Sequence, residues 1–369
     1  MTIEEKVNSL SLEDLAGQVL CLDIYDHEDP SVVEETIKKI RPGGIFVTGM
    51  TAEKIKLYTD MVNKYTKVPV IVSSDVEHGP ETAIVGGGYI PHPMAWGACD
   101  DEKLIERAGC AVGAFCRKNG VHWTYSPVVD LNYNFRSPEC NIRAISDSPR
   151  QVVKIAGAFI KGLERNNQMV AAIKHFPGEG VDERNSHFVT TINDLSKEEW
   201  MSTYGFVYKE MIKAGVSSIM VGHTALPAYE EETDPSFGPP PAVLSYSLMT
   251  KLLKGELGFD GCLVSDAMSM IGVAARVPDL REISLRFLKA GGDMILFPEP
   301  TDYGVILKAV KKGELPLDRL KDAVARILKL KEKARLFEDQ QKLQRSIIVP
   351  EKISRISQEI ADKSIKIVR

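Results

Sequence analysis

The residues best suited to chemistry in this chain stand at the ends of short apolar runs. One run, from Met169 to Ile173, ends in Lys174 and His175. A Pro-Gly break follows, then a loop carrying Glu179, Asp182, Glu183, Arg184 and His187. The pattern recurs. Asp75 closes one run and Asp130 another, and His223, Asp266 and Glu299 stand at or near the ends of three more. A carboxylate serves as nucleophile or as acceptor for hydroxyl groups, a lysine offers a positive charge, and an imidazole moves protons near neutral pH. Asp75, Lys174, His175 and Asp266 together exceed what helix caps require, since a cap needs neither a lysine nor an imidazole.

This chemistry is expected to run without a cofactor or metal. HExxH and HxH spacings are absent, and no GxGxxG follows a strand pattern. Gly86-Gly87-Gly88 lacks the Lys-Ser/Thr of a phosphate cradle. The chain has 369 residues and a formal net charge of −5, with no basic cluster of the kind a nucleic-acid partner would need. No apolar run approaches the ~18 residues of a membrane span. The first residues, MTIEEKVNSLSLEDLAGQ, lack the basic and apolar regions of a signal peptide. Six scattered cysteines without a CxxC pair read as reduced thiols, so a cytoplasmic protein is expected.

Elements must position these groups. Eight short, β-rich stretches are predicted at 18–24, 43–49, 68–75, 121–130, 169–176, 216–223, 259–267 and 293–299, almost continuously apolar, as strands buried on both faces should be. Between them lie amphipathic helices with caps and glycine stops, at 101–120, 148–167, 196–215 and 318–337. The segment 76–100, rich in glycine and proline, reads as a long loop. Eight βα units predict an α/β fold, a (β/α)8 TIM barrel over residues 1–337, in which reactive groups gather at the carboxyl ends of the strands. Residues 338–369 read as a helical tail running to the last residue, either packed back on the barrel or leading into a second domain.

Several segments together resemble family 3 glycoside hydrolases, in the branch of bacterial β-N-acetylglucosaminidases (β-N-acetylhexosaminidases). AAIKHFPGEGVDERNSH is similar to that family's KH(F/Y)PGxG…(D)xH motif, and CLVSDAMSM to its nucleophile segment SDAxxM. VIVSSDVEHG, YSPVVDLNYN, NIRAISDSP and PHPMAWGAC occur in the family's order, over roughly residues 10–335.

The resemblance implies a retaining hydrolase that releases terminal β-linked N-acetylhexosamine through a glycosyl-aspartate intermediate. Asp266 matches the nucleophile and His187 the acid/base on the loop after strand five. Asp75, Arg143, Lys174 and His175 match groups that hold the sugar. His223 and Glu179 join the candidate substrate-binding set. Two departures stand out. The aspartate that pairs with the histidine is Asn185 here, and the family's KHFPGHG reads KHFPGEG, with Glu179. A neutral amide cannot offset an imidazolium, so a less populated imidazolium is expected unless Asp182, Glu183 or Glu179 takes over. The expected partner is a small carbohydrate, such as a β-GlcNAc-terminated glycan or a muropeptide-like fragment. The alternatives are a β-glycoside phosphorylase, favoured by an acid/base without the charge that repels phosphate; a β-glucosidase of the same family; and a catalytically weak sugar-binding barrel.

Overall fold

A computed structural model describes residues 1–338 and 350–365, apart from 232, 234, 236, 237 and 278. Eight parallel strands form one sheet: β1 Leu20–Ile24, β2 Gly44–Val47, β3 Ile71–Ser74, β4 Trp123–Thr124, β5 Val170–Phe176, β6 Ser218–Val221, β7 Cys262–Ser265 and β8 Ile295–Leu296. They pair in the order β7-β6-β5-β4-β3-β2-β1-β8. The ring closes where Met294 donates to Leu263 O at 2.9 Å and Ser265 donates to Met294 O at 3.0 Å. Each predicted strand is present. Nearly all strand residues are buried, which explains their unbroken apolar run: helices cover the outside and side chains fill the inside.

Two of the outer helices begin where their sequences mark a start, although Ser148 makes no side-chain cap bond. Glu102–Lys118 starts at Asp101, whose side chain accepts from Leu104 N, and Pro149–Leu163 opens on a proline. These two helices pack closely because Gly162 faces Glu106, and a Cβ there would lie 2.0 Å from Glu106 O. Leu317–Lys333 is the long outer helix expected near the end of the barrel.

The structure departs from the sequence-based expectations in two places. The stretch 196–215 forms two helices, Lys197–Ser202 and Tyr204–Lys213. Thr203 breaks them with φ −118° and ψ −91°, and its hydroxyl donates to Glu199 O at 2.6 Å. The segment 76–100 contains a helix, Pro93–Cys99, which the prolines concealed although Pro93 only occupies the first turn. The tail forms a helix over Pro350–Ser364, while 339–349 and 366–369 of the predicted tail lie outside the described residues. That helix packs on Pro93–Cys99 and Glu102–Lys118. Ile353, Ile356 and Ile360 are buried, Arg107 bonds Glu359 at 3.0 Å, and Lys363 pairs with Asp101.

Candidate active site

The carboxyl ends of the strands surround a cavity of about 330 Å³. Asp75, Arg143, Lys174, His175, His187 and Asp266 all line it, so residues from 75 to 266 in the chain meet in one place. Glu139, Met220, Met270, Leu296 and Phe297 complete most of the wall. The volume falls within the range of small-molecule sites.

The end of β5 carries the grip. Its last residues are fully enclosed, so Lys174 and His175 are held by the barrel itself; the Lys174–His175 and Phe176–Pro177 peptides are both cis. Lys174 Nζ lies 2.6 Å from Asp75 Oδ1 and 2.6 Å from Glu77 Oε1. Burial alone would pull the ammonium down, but Asp75 and Glu77 outweigh it and hold its pKa above the ordinary range. Glu77 is also clamped by Arg143, which donates from Nε at 2.9 Å and from Nη2 at 2.8 Å. Burial would push Glu77 up, yet Lys174 and Arg143 drive its carboxyl well below the usual range. Two cations and two carboxylates thus form a fixed frame, with Asp75 about half exposed towards the cavity.

His175 is set from behind. Its Nδ1 lies 2.7 Å from Asp130 Oδ2, and its backbone N–H reaches both carboxylate oxygens at 3.2 Å. Burial works against the imidazolium, but the Asp130 charge wins and raises its pKa. Asp130 Oδ1 further accepts from Glu179 N at 2.8 Å.

Asp266 follows β7, and its carboxylate accepts from Ala267 N at 2.7 Å. Burial would push it up; His223, His175 and Lys174 hold it below the usual carboxylate range. Burial also holds His223 below the usual imidazole range. Together with the hydrogen bond from Ala267 N, these neighbours keep Asp266 ionised at neutral pH.

His187 rides on the loop after β5. That loop is tied to the β7 loop by Ile271 N donating to His187 O at 3.1 Å. Asn185 Oδ1 accepts from His187 N at 2.8 Å and stands 2.9 Å from Nδ1. Glu139 Oε1 stands 3.1 Å from the same Nδ1. Both partners are acceptors, so Nδ1 carries the hydrogen and Nε2 is left to exchange a proton.

Several sequence-predicted residues are placed differently. Glu179 does not line the cavity. It is buried behind His175, beside a separate space of about 10 Å³, where Thr224 Oγ1 donates to its carboxylate at 3.3 Å. Its backbone bond to Asp130 fixes it there. Burial first, then Asp130, raise its pKa to about 7 against the pull of His175. His223 is also beneath the floor, fully buried, with Nε2 2.9 Å from Ala267 O. It supports the turn that carries Asp266 and does not line the cavity. Asp182 is held by Arg184 at 2.5 Å and by Ile192 N at 2.8 Å, and Glu183 pairs with Arg136 at 3.6 Å, so neither serves His187. Sequence reasoning passed over Glu77 and Glu139. Their signals were slight: Glu77 stands two residues after Asp75, and Glu139 four before Arg143.

Among the described residues, Asp130, His175 and Glu179 bring one ligand atom each within 4.8 Å of one another, the spacing of a possible metal site. The Asp130 oxygens are already taken by two backbone N–H groups and the His175 ring, so the cluster is satisfied as it stands. Among the described residues, no helix is long and apolar enough to cross a membrane.

Comparison with known proteins matches residues 2–330 to the glycosyl hydrolase family 3 N-terminal domain. A beta-N-acetylglucosaminidase/beta-glucosidase of Cellulomonas fimi is 33% identical over 320 residues, covering 85% of this chain and 56% of that protein. A beta-hexosaminidase of Methylobacillus flagellatus is 28% identical, over 82% of this chain and 86% of that one. Among solved structures, a beta-glucoside phosphorylase superposes with a TM-score of 0.86 at 30% identity, covering 98% of this chain and 65% of that one. The chain thus spans between half and two thirds of the Cellulomonas fimi protein and of the phosphorylase.

Proposed function

Because the chain belongs to glycosyl hydrolase family 3, we propose that its barrel is a retaining glycosidase releasing terminal β-linked N-acetylhexosamine. One observation carries the reading: a carboxylate held ionised, a half-exposed imidazole and a lysine–carboxylate–arginine frame share one cavity. The N-acetyl preference is supported by the relatives called beta-N-acetylglucosaminidase and beta-hexosaminidase.

In the first step the Asp266 carboxylate attacks the anomeric carbon. The sugar C1–O bond breaks as His187 Nε2–H gives its proton to the leaving oxygen. In the second, His187 Nε2 takes a proton from water while the water oxygen attacks C1. The ester bond to Asp266 breaks and its carboxylate returns. Lys174, Arg143 and His175 supply charged donors to the sugar hydroxyls, and Asp75 accepts from them. The rigid frame means these donors need no rearrangement as charge develops.

The substrate in this reading is a small β-GlcNAc-terminated carbohydrate. Six cysteines without a disulfide among the described residues accord with the reducing cytoplasm as its compartment. A second reading, phosphorolysis, is favoured by the histidine in the proton-moving position and by the likeness to the beta-glucoside phosphorylase.

One experiment tests both. Proton NMR of an aryl β-N-acetylglucosaminide turned over in phosphate-free buffer should show β-configured GlcNAc as the first product. An α-configured first product overturns retention. With phosphate added, a sugar-1-phosphate in place of free sugar transfers the activity to the second reading.

A further inference from the structure

His187 lacks the carboxylate that its own loop would be expected to provide. Asn185 occupies that place and brings only a neutral amide, while Asp182 and Glu183 are engaged elsewhere. Yet a carboxylate does reach the ring. Glu139 arrives from the β4 loop, 48 residues earlier, and sets Oε1 3.1 Å from His187 Nδ1.

Glu139 is itself held. Its side chain is only 8% exposed, and Arg143 Nη1 contacts its Oε2 at 3.3 Å and its backbone oxygen at 3.0 Å. Arg143 is in turn fixed by Glu77, and Glu77 by Lys174. A continuous chain of charge contacts therefore runs from the sugar grip to the proton-moving ring. The other titratable groups facing His187 are Asp266, Asp75, Lys174, Arg143 and His175 across the cavity, with His223 beneath. None of these is in hydrogen-bond contact with its ring.

We propose that Glu139 is the positioning residue of the acid/base: it holds the Nδ1–H of His187 and stabilises the imidazolium, in place of a partner on the histidine's own loop. A carboxylate at hydrogen-bond distance favours the charged ring, and a backed imidazole presents Nε2 in one orientation. The proposal deepens the functional reading above and rests on it for the identity of the acid.

Kinetics on two leaving groups test it. Proton donation matters for an alkoxide leaving group such as a sugar, and little for 2,4-dinitrophenolate, which departs unaided. Glu139→Gln should therefore lower kcat/KM on a β-linked GlcNAc disaccharide by about ten- to a hundredfold, a part of what general acid catalysis supplies. On the dinitrophenyl glycoside it should change it by less than about threefold, and the high-pH limb of the disaccharide profile should move to lower pH. Asn185→Asp on the Glu139→Gln background should restore the disaccharide rate. An equal loss on both substrates, or no loss on either, overturns the proposal.

A measurement without turnover separates this from the reading of the site. The Nδ1–H resonance of His187, followed by NMR in the sugar-free protein, should lose its hydrogen-bonded downfield position on Glu139→Gln. An unmoved resonance sinks the Glu139 assignment whatever the reaction. A moved resonance in a protein that cleaves no β-glycoside leaves the pairing standing and removes the glycosidase reading.

Discussion

Arg143 clamps Glu77 with two N–H···O bonds of 2.9 and 2.8 Å, although 66 residues separate them in the chain. Lys174 meets the same carboxylate at 2.6 Å. This small frame sets the geometry of the cavity. Without Glu77, two cations would face each other across a gap with too little negative charge between them.

Glu77→Gln should accordingly cost stability as well as activity. Breaking a buried ion pair by removing one partner costs about 3–5 kcal/mol. The pH dependence has a definite sign. The folded protein depresses the Glu77 pKa well below 4.5, so its contribution is present above the unfolded carboxylate's value and is lost as pH falls through the folded one. Urea melts at pH 7 and at pH 3 check this: the gap between wild type and Glu77→Gln should narrow in acid. A gap that stays constant contradicts the frame.

Glu179 carries the opposite sign. Its pKa is raised to about 7 from 4.5, so the protonated form belongs to the fold. The stability it contributes is complete below about pH 4.5 and is lost as pH rises through about 7. Glu179→Gln keeps the neutral state at every pH. Relative to wild type, its melting temperature should therefore be higher at pH 8 than at pH 5. The reverse trend would show that Glu179 is ionised in the fold.

Gly178 joins His175 to Glu179 at φ +117°, and a Cβ there would lie 2.1 Å from the ring of Tyr204. Gly178→Ala should destabilise by about 3 kcal/mol through strain and overlap combined. It should also reduce turnover, because the loop carrying His187 begins there. Denaturant midpoints and kcat on one sample check both. Wild-type stability in this variant would mean that the loop takes another path.

The barrel was legible in the sequence because strands buried on both faces must be apolar throughout, and all eight runs stood out. Lys174, His175 and Asp266 were legible because they interrupt or end those runs. The remainder depended on contacts between loops. Glu139 reaches His187 across 48 residues and Glu77 reaches Arg143 across 66, and no local spacing records either meeting. Glu179 misled for a related reason. Its place in a charged loop suggested a role at the sugar or beside His187, but its backbone N–H is drawn onto the buried Asp130. Thr203 split a helix whose apolar periodicity continued unchanged.

The most direct measurement concerns Asp266. A 2-fluoro sugar with a good leaving group slows the second displacement more than the first and so accumulates the covalent ester. Mass mapping after incubation should find a single added fluoro-sugar on the peptide containing CLVSDAMSM, at Asp266, and Asp266→Ala should take no label and lose turnover by on the order of 10⁴-fold. A label on any other carboxylate, or undiminished turnover by Asp266→Ala, would contradict the account.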